Sequence, residues 1–415
     1  MGTFFKDLSL STATAGLVAV LVGYTSSVAI VFQAAQAFGA TPEMIASWMW
    51  ALGIGMGVCT LVPSLWLKKP VMVAWSTPGA AVLASAGLAG AVGTTGGGFT
   101  MAQAVGAFMA CAVLITVAGW TGWFERVMNR IPVAIASALL AGVLARFGLA
   151  GFAAAQTALP LVLTMLLAYL LGRRFWPRFA VPVTLLVAII FVAAGAGFTG
   201  ATVVFGIAKP VFVAPEFTGA AFVTLALPLF IVTMASQNLP GVATITACGF
   251  GDCRAEGGDA GIPVSKVITL TGVASFVLAP FGGYALNLGA ITAAICMGPQ
   301  AHADPQRRYT AAAVCGAIYI VIGFFGAAVT GVLTAFPKEL VAAIAGLALL
   351  GTIGSALLAA VQDEHQREAA LITFLVTLSG VVLAGVGSAF WGVVAGAIAL
   401  LVQHYTPRSA GRDST

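Results

Sequence analysis

The polar chemistry of this chain is carried almost entirely by uncharged groups set among apolar residues. Trp75-Ser76-Thr77-Pro78-Gly79-Ala80-Ala81 lies inside an apolar stretch and reads as a helix start, because Ser or Thr followed by Pro is an N-cap and N1 signature. A helix that starts within a bilayer turns free N–H groups and the positive end of its dipole inward, which suits a small anion. Val71–Trp75 would then be an extended entry segment; an ordinary proline kink is the competing reading. A second interruption occurs in Pro280-Phe-Gly-Gly-Tyr-Ala-Leu-Asn287-Leu-Gly289, where helix breakers and an Asn able to cap precede a short apolar helix. Two interrupted helices at corresponding positions of two halves point to a transporter's binding site. Ser76, Thr77, Gly79 and Ala80 on one side, and Tyr284, Asn287, Leu288 and Gly289 on the other, are therefore candidate binding positions.

Two further polar stretches join them. Ser236-Gln237-Asn238-Leu239-Pro240-Gly241 places two amides in an apolar span, either as glue between helices or facing a wet cavity; Pro240, which unwinds the backbone, favours the cavity. Tyr24-Thr25-Ser26-Ser27 is a weaker signal, since small hydroxyls also serve helix packing. What is missing matters equally. All thirteen acids lie at or beyond the ends of the apolar windows, and His302, His365 and His404 sit close to their boundaries. That argues against a carboxylate proton relay and against most metal or acid–base enzymes, so no metal and no cofactor are expected. The six cysteines contain no CxxC, which argues against a zinc site or disulfide framework.

Membrane-spanning helices must position these groups. Of 415 residues, 60% are hydrophobic and 7% charged, whereas soluble domains carry about 25% charge, so a water-soluble globular protein is excluded. Unbroken apolar runs, without strand-like alternation, argue against an outer-membrane barrel. At about 20 residues per crossing, windows 8–42, 44–67, 147–172, 179–208, 217–251, 309–337 and 340–362 hold one helix each. Window 131–145 holds a short one, with Arg146 snorkelling from its end, and windows 70–124, 267–303 and 369–407 hold two each. The expected fold is all-α and polytopic, with fourteen transmembrane helices. Seven per half is odd, so duplicated halves would insert in opposite senses as inverted repeats, with the third and tenth helices interrupted. Placing both termini in the cytoplasm puts fifteen of the eighteen Lys and Arg residues inside, among them Arg173, Arg174 and Arg178. Only Arg146, Lys209 and Lys338 then fall outside. The net charge of +5 reflects this topology and gives no basic stripe for nucleic acid.

Gly23-Tyr-Thr-Ser-Ser-Val-Ala-Ile-Val-Phe-Gln33, Ala74-Trp-Ser-Thr-Pro-Gly79 and Ser236-Gln-Asn-Leu-Pro-Gly241 resemble the BenE-type benzoate/proton symporter family, over about residues 5–405. More distantly the chain is similar to the uracil and ascorbate transporters. The resemblance implies a core domain in residues 1–122 and 211–335, a gate domain in 123–210 and 336–405, and a cytoplasmic tail, 406–415. It also implies short antiparallel strands leading into the two half-helices. Substrate would lie between the third, eighth and tenth helices, near Tyr24, Thr25, Gln237 and Asn238. Uracil transporters carry glutamates where this chain has Gln237-Asn238 and Asn287; amides and free N–H groups suit a carboxylate better than a nucleobase. The expected function is import of benzoate or a similar aromatic carboxylate with a proton across a bacterial inner membrane. An anion channel or uniporter could use the same cradle, whereas an embedded enzyme would need a midplane nucleophile, acid or metal cluster. Expected partners are the substrate, the proton and the lipid bilayer, with a homodimer left open.

Overall fold

The computed structural model describes residues 4–25, 27–93, 98–122, 133–176, 179–194, 206–251, 261–299, 301–328, 331, 336–381, 383 and 388–404. Several expectations fall outside these: Ser26, the side chain of Thr25, Arg126, Arg130, Arg178, Arg254, and the tail with Arg408 and Arg412.

The first half consists of α1 (Leu10–Thr25), α2 (Val28–Ala37), α3 (Pro42–Leu67), β1 (Val73–Trp75), α4 (Thr77–Gly93), α5 (Met101–Trp120), α6 (Val133–Ala153), α7 (Ala155–Phe175) and α8 (Ala180–Ala194). A rod then runs from Gly219 to Ala247 through π-helical turns at Phe222–Ala226 and Met234–Asn238, with α9 (Leu227–Thr233) between them and α10 (Leu239–Ala247) after. There follow α11 (Val264–Leu278), β2 (Leu286–Leu288), α12 (Ile291–Met297), α13 (Tyr309–Phe324), α14 (Lys338–Val361), α15 (Arg367–Ser379) and α16 (Ser388–His404). Among the described residues, seven helices are long and apolar enough to cross a membrane. Each π turn is followed by Leu-Pro, at Pro228 and Pro240. A proline has no N–H and crowds the carbonyl four residues back, and the wider turn accommodates both effects.

The chain enters α4 and α12 through extended segments rather than as continuous helices. Strands β1 and β2 pair antiparallel, with Val73 opposite Leu288, Ala74 opposite Asn287 and Trp75 opposite Leu286. Each strand leads into its helix, so α4 and α12 start at opposite ends of a ladder about 10 Å long. A two-stranded sheet has two outer edges, and in an apolar setting each needs partners. On one edge, Thr60 Oγ1 accepts from Val73 N–H (3.0 Å) and Ser64 Oγ from Val71 N–H (3.1 Å). Trp75 N–H lies 3.2 Å from Met56 Sδ. Met56, Thr60 and Ser64 are spaced four apart, and so form one face of α3. On the other edge, Leu286 N–H donates to Ser275 Oγ (2.9 Å) and Leu288 N–H to Asn238 Oδ1 (2.9 Å).

Glycines let the scaffold helices approach closely, as is usual where membrane helices pack through small residues. A methyl at Gly316 of α13 would lie 2.8 Å from the Leu61 nitrogen of α3. Arg308 is buried; its guanidinium donates to the carbonyls of Met297 (2.9 Å) and His302 (2.8 Å), closing the far end of α12. One expectation is corrected. Arg146 does not sit at the end of a short helix, because α6 continues to Ala153. Its guanidinium instead lies against Gly380, the left-handed residue that ends α15 (φ +70°). A cation at a helix C-terminus is favourable there, so the side chain needs no route to the helix end.

Candidate functional site

Beside the strand pair lies a cavity of about 770 Å³. At its inner end are Thr77 and Pro78 from the start of α4, and Gly289, Ala290, Ile291 and Thr292 leading into α12. Ala235, Ser236, Gln237 and Pro240 line a second wall from the π turn, and Tyr24, Ser27 and Trp75 a third. Ser137 and Leu140 of α6, Tyr169 and Arg173 of α7, and Ser355 of α14 complete it. The cavity thus reaches the exposed Arg173, and among the described residues that line it there is no Asp, Glu or His.

The start of α4 offers a limited set of donors. Ser76 is the N-cap: its Oγ accepts from Gly79 N–H (3.0 Å), and its carbonyl accepts from Ala80 N–H (2.8 Å). Pro78 has no N–H. The backbone N–H of Thr77, with its hydroxyl, is what this helix end presents to the cavity. The aromatic wall is built by Tyr24 and Trp75, whose ring centroids are 4.8 Å apart. Trp75 is fixed by its indole N–H, which donates to Ser27 Oγ (2.8 Å) at the break between α1 and α2. The Tyr24 hydroxyl turns to Met49 Sδ (3.6 Å), so that tyrosine presents its ring to the cavity. Thr292 is 5% exposed, and its Oγ1 is buried with no hydrogen-bond partner. The absent Cβ of Gly289 leaves room for it, since a methyl there would come within 2.5 Å of that oxygen.

A family model described as benzoate membrane transport protein matches residues 6–402. The chain belongs to the BenE family. This BenE-family protein is a membrane transport protein and not an enzyme. It is 45% identical over 391 residues to the inner membrane protein YdcO of Escherichia coli, covering 94% of this chain and 95% of the relative. To the benzoate membrane transport protein of Acinetobacter baylyi it is 38% identical over 400 residues, covering 96% and 97%. In fold it is similar to the transmembrane domain of a cyanobacterial bicarbonate transporter, BicA, with a TM-score of 0.53 at 14% identity, covering 95% of this chain and 98% of that one. Murine Slc26a9, an anion transporter solved in an inward-facing state, gives 0.51 at 13%, covering 96% and 68%.

The BenE-family structure distributes the sequence candidates unevenly. Tyr24, Thr77, Gln237 and Gly289 line the cavity; Ser76, Gly79, Ala80, Asn238, Tyr284, Asn287 and Leu288 do not. Ser76 caps α4 and receives a hydrogen bond from Thr233 Oγ1 (2.8 Å). Asn287 does not cap α12, whose N-cap is Ala290. It sits in β2 instead. With its amide turned to satisfy both neighbours, it accepts from Ser76 N–H (2.9 Å) and donates to the Leu288 carbonyl (2.9 Å). Asn238 is the strut on the outer edge of that strand. Tyr284 packs in a separate cluster with Trp48 and Phe108, ring centroids 5.9 and 6.0 Å away. Thr292, Ser236 and Arg173 were not singled out as site residues from the sequence. Of these, only Ser236 stood inside a motif that signalled it, next to Gln237.

Proposed function

We propose that the protein imports benzoate or a similar aromatic carboxylate together with a proton, by alternating access. The observation that carries this reading is a cavity that joins the Thr77 helix start to the Tyr24–Trp75 wall, with no acid among the described residues that line it. A carboxylate there would take the Thr77 N–H and hydroxyl, with Gln237 across from it and its ring against the aromatics. The names of the relatives, a benzoate transport protein and an inner membrane protein, support the substrate class and the bacterial inner membrane.

The helix ranges support fourteen crossings, with α1 and α2, β1 and α4, the Gly219–Ala247 rod, and β2 and α12 each counted as one. Pairing of the third with the tenth supports inverted repeats. Core residues Thr77, Gln237 and Gly289 face gate residues Ser137, Tyr169 and Ser355 across the cavity, as a core moving against a gate requires. With Arg173 cytoplasmic, as the charge pattern places it, the cavity is open to the inside. Cysteines introduced at Arg174 and Lys209 in a cysteine-free background should label from opposite sides of the membrane. Labelling from one side would break the helix count.

An inside-negative potential opposes entry of a lone anion by about 2.3 kcal/mol per 100 mV, and one accompanying proton removes that opposition. Radiolabelled benzoate should therefore accumulate in proteoliposomes when a proton gradient is imposed, with little response to voltage. Current without accumulation would identify a channel or uniporter instead. Losing a hydrogen bond to a charged group costs about 1.5–3 kcal/mol, so Thr77→Val or Gln237→Ala should weaken benzoate binding about tenfold or more. Unchanged affinity in both would move the carboxylate elsewhere.

A further inference from the structure

The π turn beside the cavity leaves backbone acceptors open. Leu239 N–H is spent on the Met234 carbonyl. An α-helix that resumes at Leu239 closes its first bond from Val242 N–H to the Asn238 carbonyl. Between these lie the carbonyls of Ala235, Ser236 and Gln237. Pro240 has no N–H, so Gly241 is the only helical donor left for them, and two of the three have none of their own. All three residues line the cavity, as does Pro240 itself. The three residues are half-buried, so a carbonyl without a helical donor takes its partner from whatever occupies the cavity. The cavity also holds Thr77, and a carbonyl without a donor there attracts a hydrogen-bond donor or a cation, never an anion.

We propose that the Ala235–Gln237 carbonyls hold the transported proton, on the bound carboxyl group itself. The inference rests on the carboxylate–proton symport proposed above and supplies the acceptor that symport needs. The carboxylate takes up one proton from water and becomes a neutral carboxylic acid. Its C=O oxygen accepts from Thr77 N–H, and its new O–H donates to the open carbonyls. On release, the acid returns the proton to water on the other side. No side-chain acid takes part, in keeping with the absence of Asp, Glu and His among the described residues of the lining. Backbone carbonyls in an unwound helix are a general means of holding a coupling ion in transporters.

Competition against radiolabelled benzoate uptake in wild-type proteoliposomes tests this directly. Benzamide is neutral at all working pH values and carries N–H donors where the acid carries O–H. It should inhibit uptake equally at about pH 5.5 and about pH 7.5. Benzenesulfonate, always an anion, should inhibit at least about tenfold less well than benzoate. Pro240→Ala returns an N–H to the turn and should weaken benzamide inhibition and benzoate uptake alike, about tenfold, without weakening inhibition by benzenesulfonate, which has no proton to donate. Benzamide without effect, alongside tight inhibition by benzenesulfonate, would overturn the proposal. So would uptake that follows an imposed sodium gradient at constant pH, which would give the carbonyls to a metal cation. Wild-type vesicles that take up no benzoate would refute the transport reading itself, and the carbonyl site with it.

Discussion

Gly282→Ala is expected to deprive the membrane of folded transporter. Gly282 is buried, with φ at +92°, at the point where the chain leaves the 3₁₀ turn after α11 and heads into β2. A side chain in that conformation costs about 1–2 kcal/mol. The added methyl would also run into the Trp48 ring, and overpacking typically costs a further 1–3 kcal/mol. Against a native stability of about 5–15 kcal/mol, the sum is enough to lower both melting temperature and folded yield. Trp48→Phe added to Gly282→Ala should restore part of the loss, because the smaller ring withdraws the crowding atoms. Wild-type melting of the single variant, measured in detergent, would show that the turn tolerates a side chain.

Asn238→Leu should cut transport by at least tenfold through the frame of the site. Leucine keeps the volume but leaves the Leu288 N–H buried with no acceptor, which costs about 1–3 kcal/mol. The strand edge would then shift or fray, and α12 would lose its fixed starting point. The variant should therefore lower thermal stability and transport together. Gln237→Ala, one residue earlier, should weaken substrate binding with stability nearly unchanged. If Asn238→Leu melts like wild type and raises only the KM, the asparagine contacts substrate and the strut reading fails.

That contrast shows where sequence reading stops. The interruption at Ser76-Thr77-Pro78 was legible because a cap and a proline in an apolar run have a local cause. So was the turn at Ala279-Pro280, and so was the all-helical, membrane-spanning character of the chain, which follows from its long apolar runs. Gln237 and Asn238 look equivalent in sequence, yet one faces the cavity and the other the strand. The π turn that separates their directions depends on Pro240 and on tertiary contacts, so neighbouring residue types alone do not fix it. The Met56-Thr60-Ser64 face had a readable spacing, but what it serves is a strand edge that exists only after pairing. Asn287 could be read as a cap or as a strand residue, and only the register with Ala74 decides. Arg146 read as a helix end because its partner, the end of α15, is more than 200 residues away in sequence.

The strand pair has a consequence for how the chain is made. Val73 and Leu288 are 215 positions apart. At a synthesis rate of about 5–20 residues per second, β1 is complete some 10–40 s before its partner leaves the ribosome. During that interval Thr60, Ser64 and Met56 can satisfy one edge of β1, but the edge meant for β2 faces lipid or water. The first half therefore waits in the membrane as an unfinished surface, with β1 held by α3 and by the Trp75 indole bond to Ser27. A nascent chain arrested before Leu286 should be more open to membrane proteases near Val71–Trp75 than one arrested after Met297, so assembly of the binding site is a late, all-or-none event in biosynthesis.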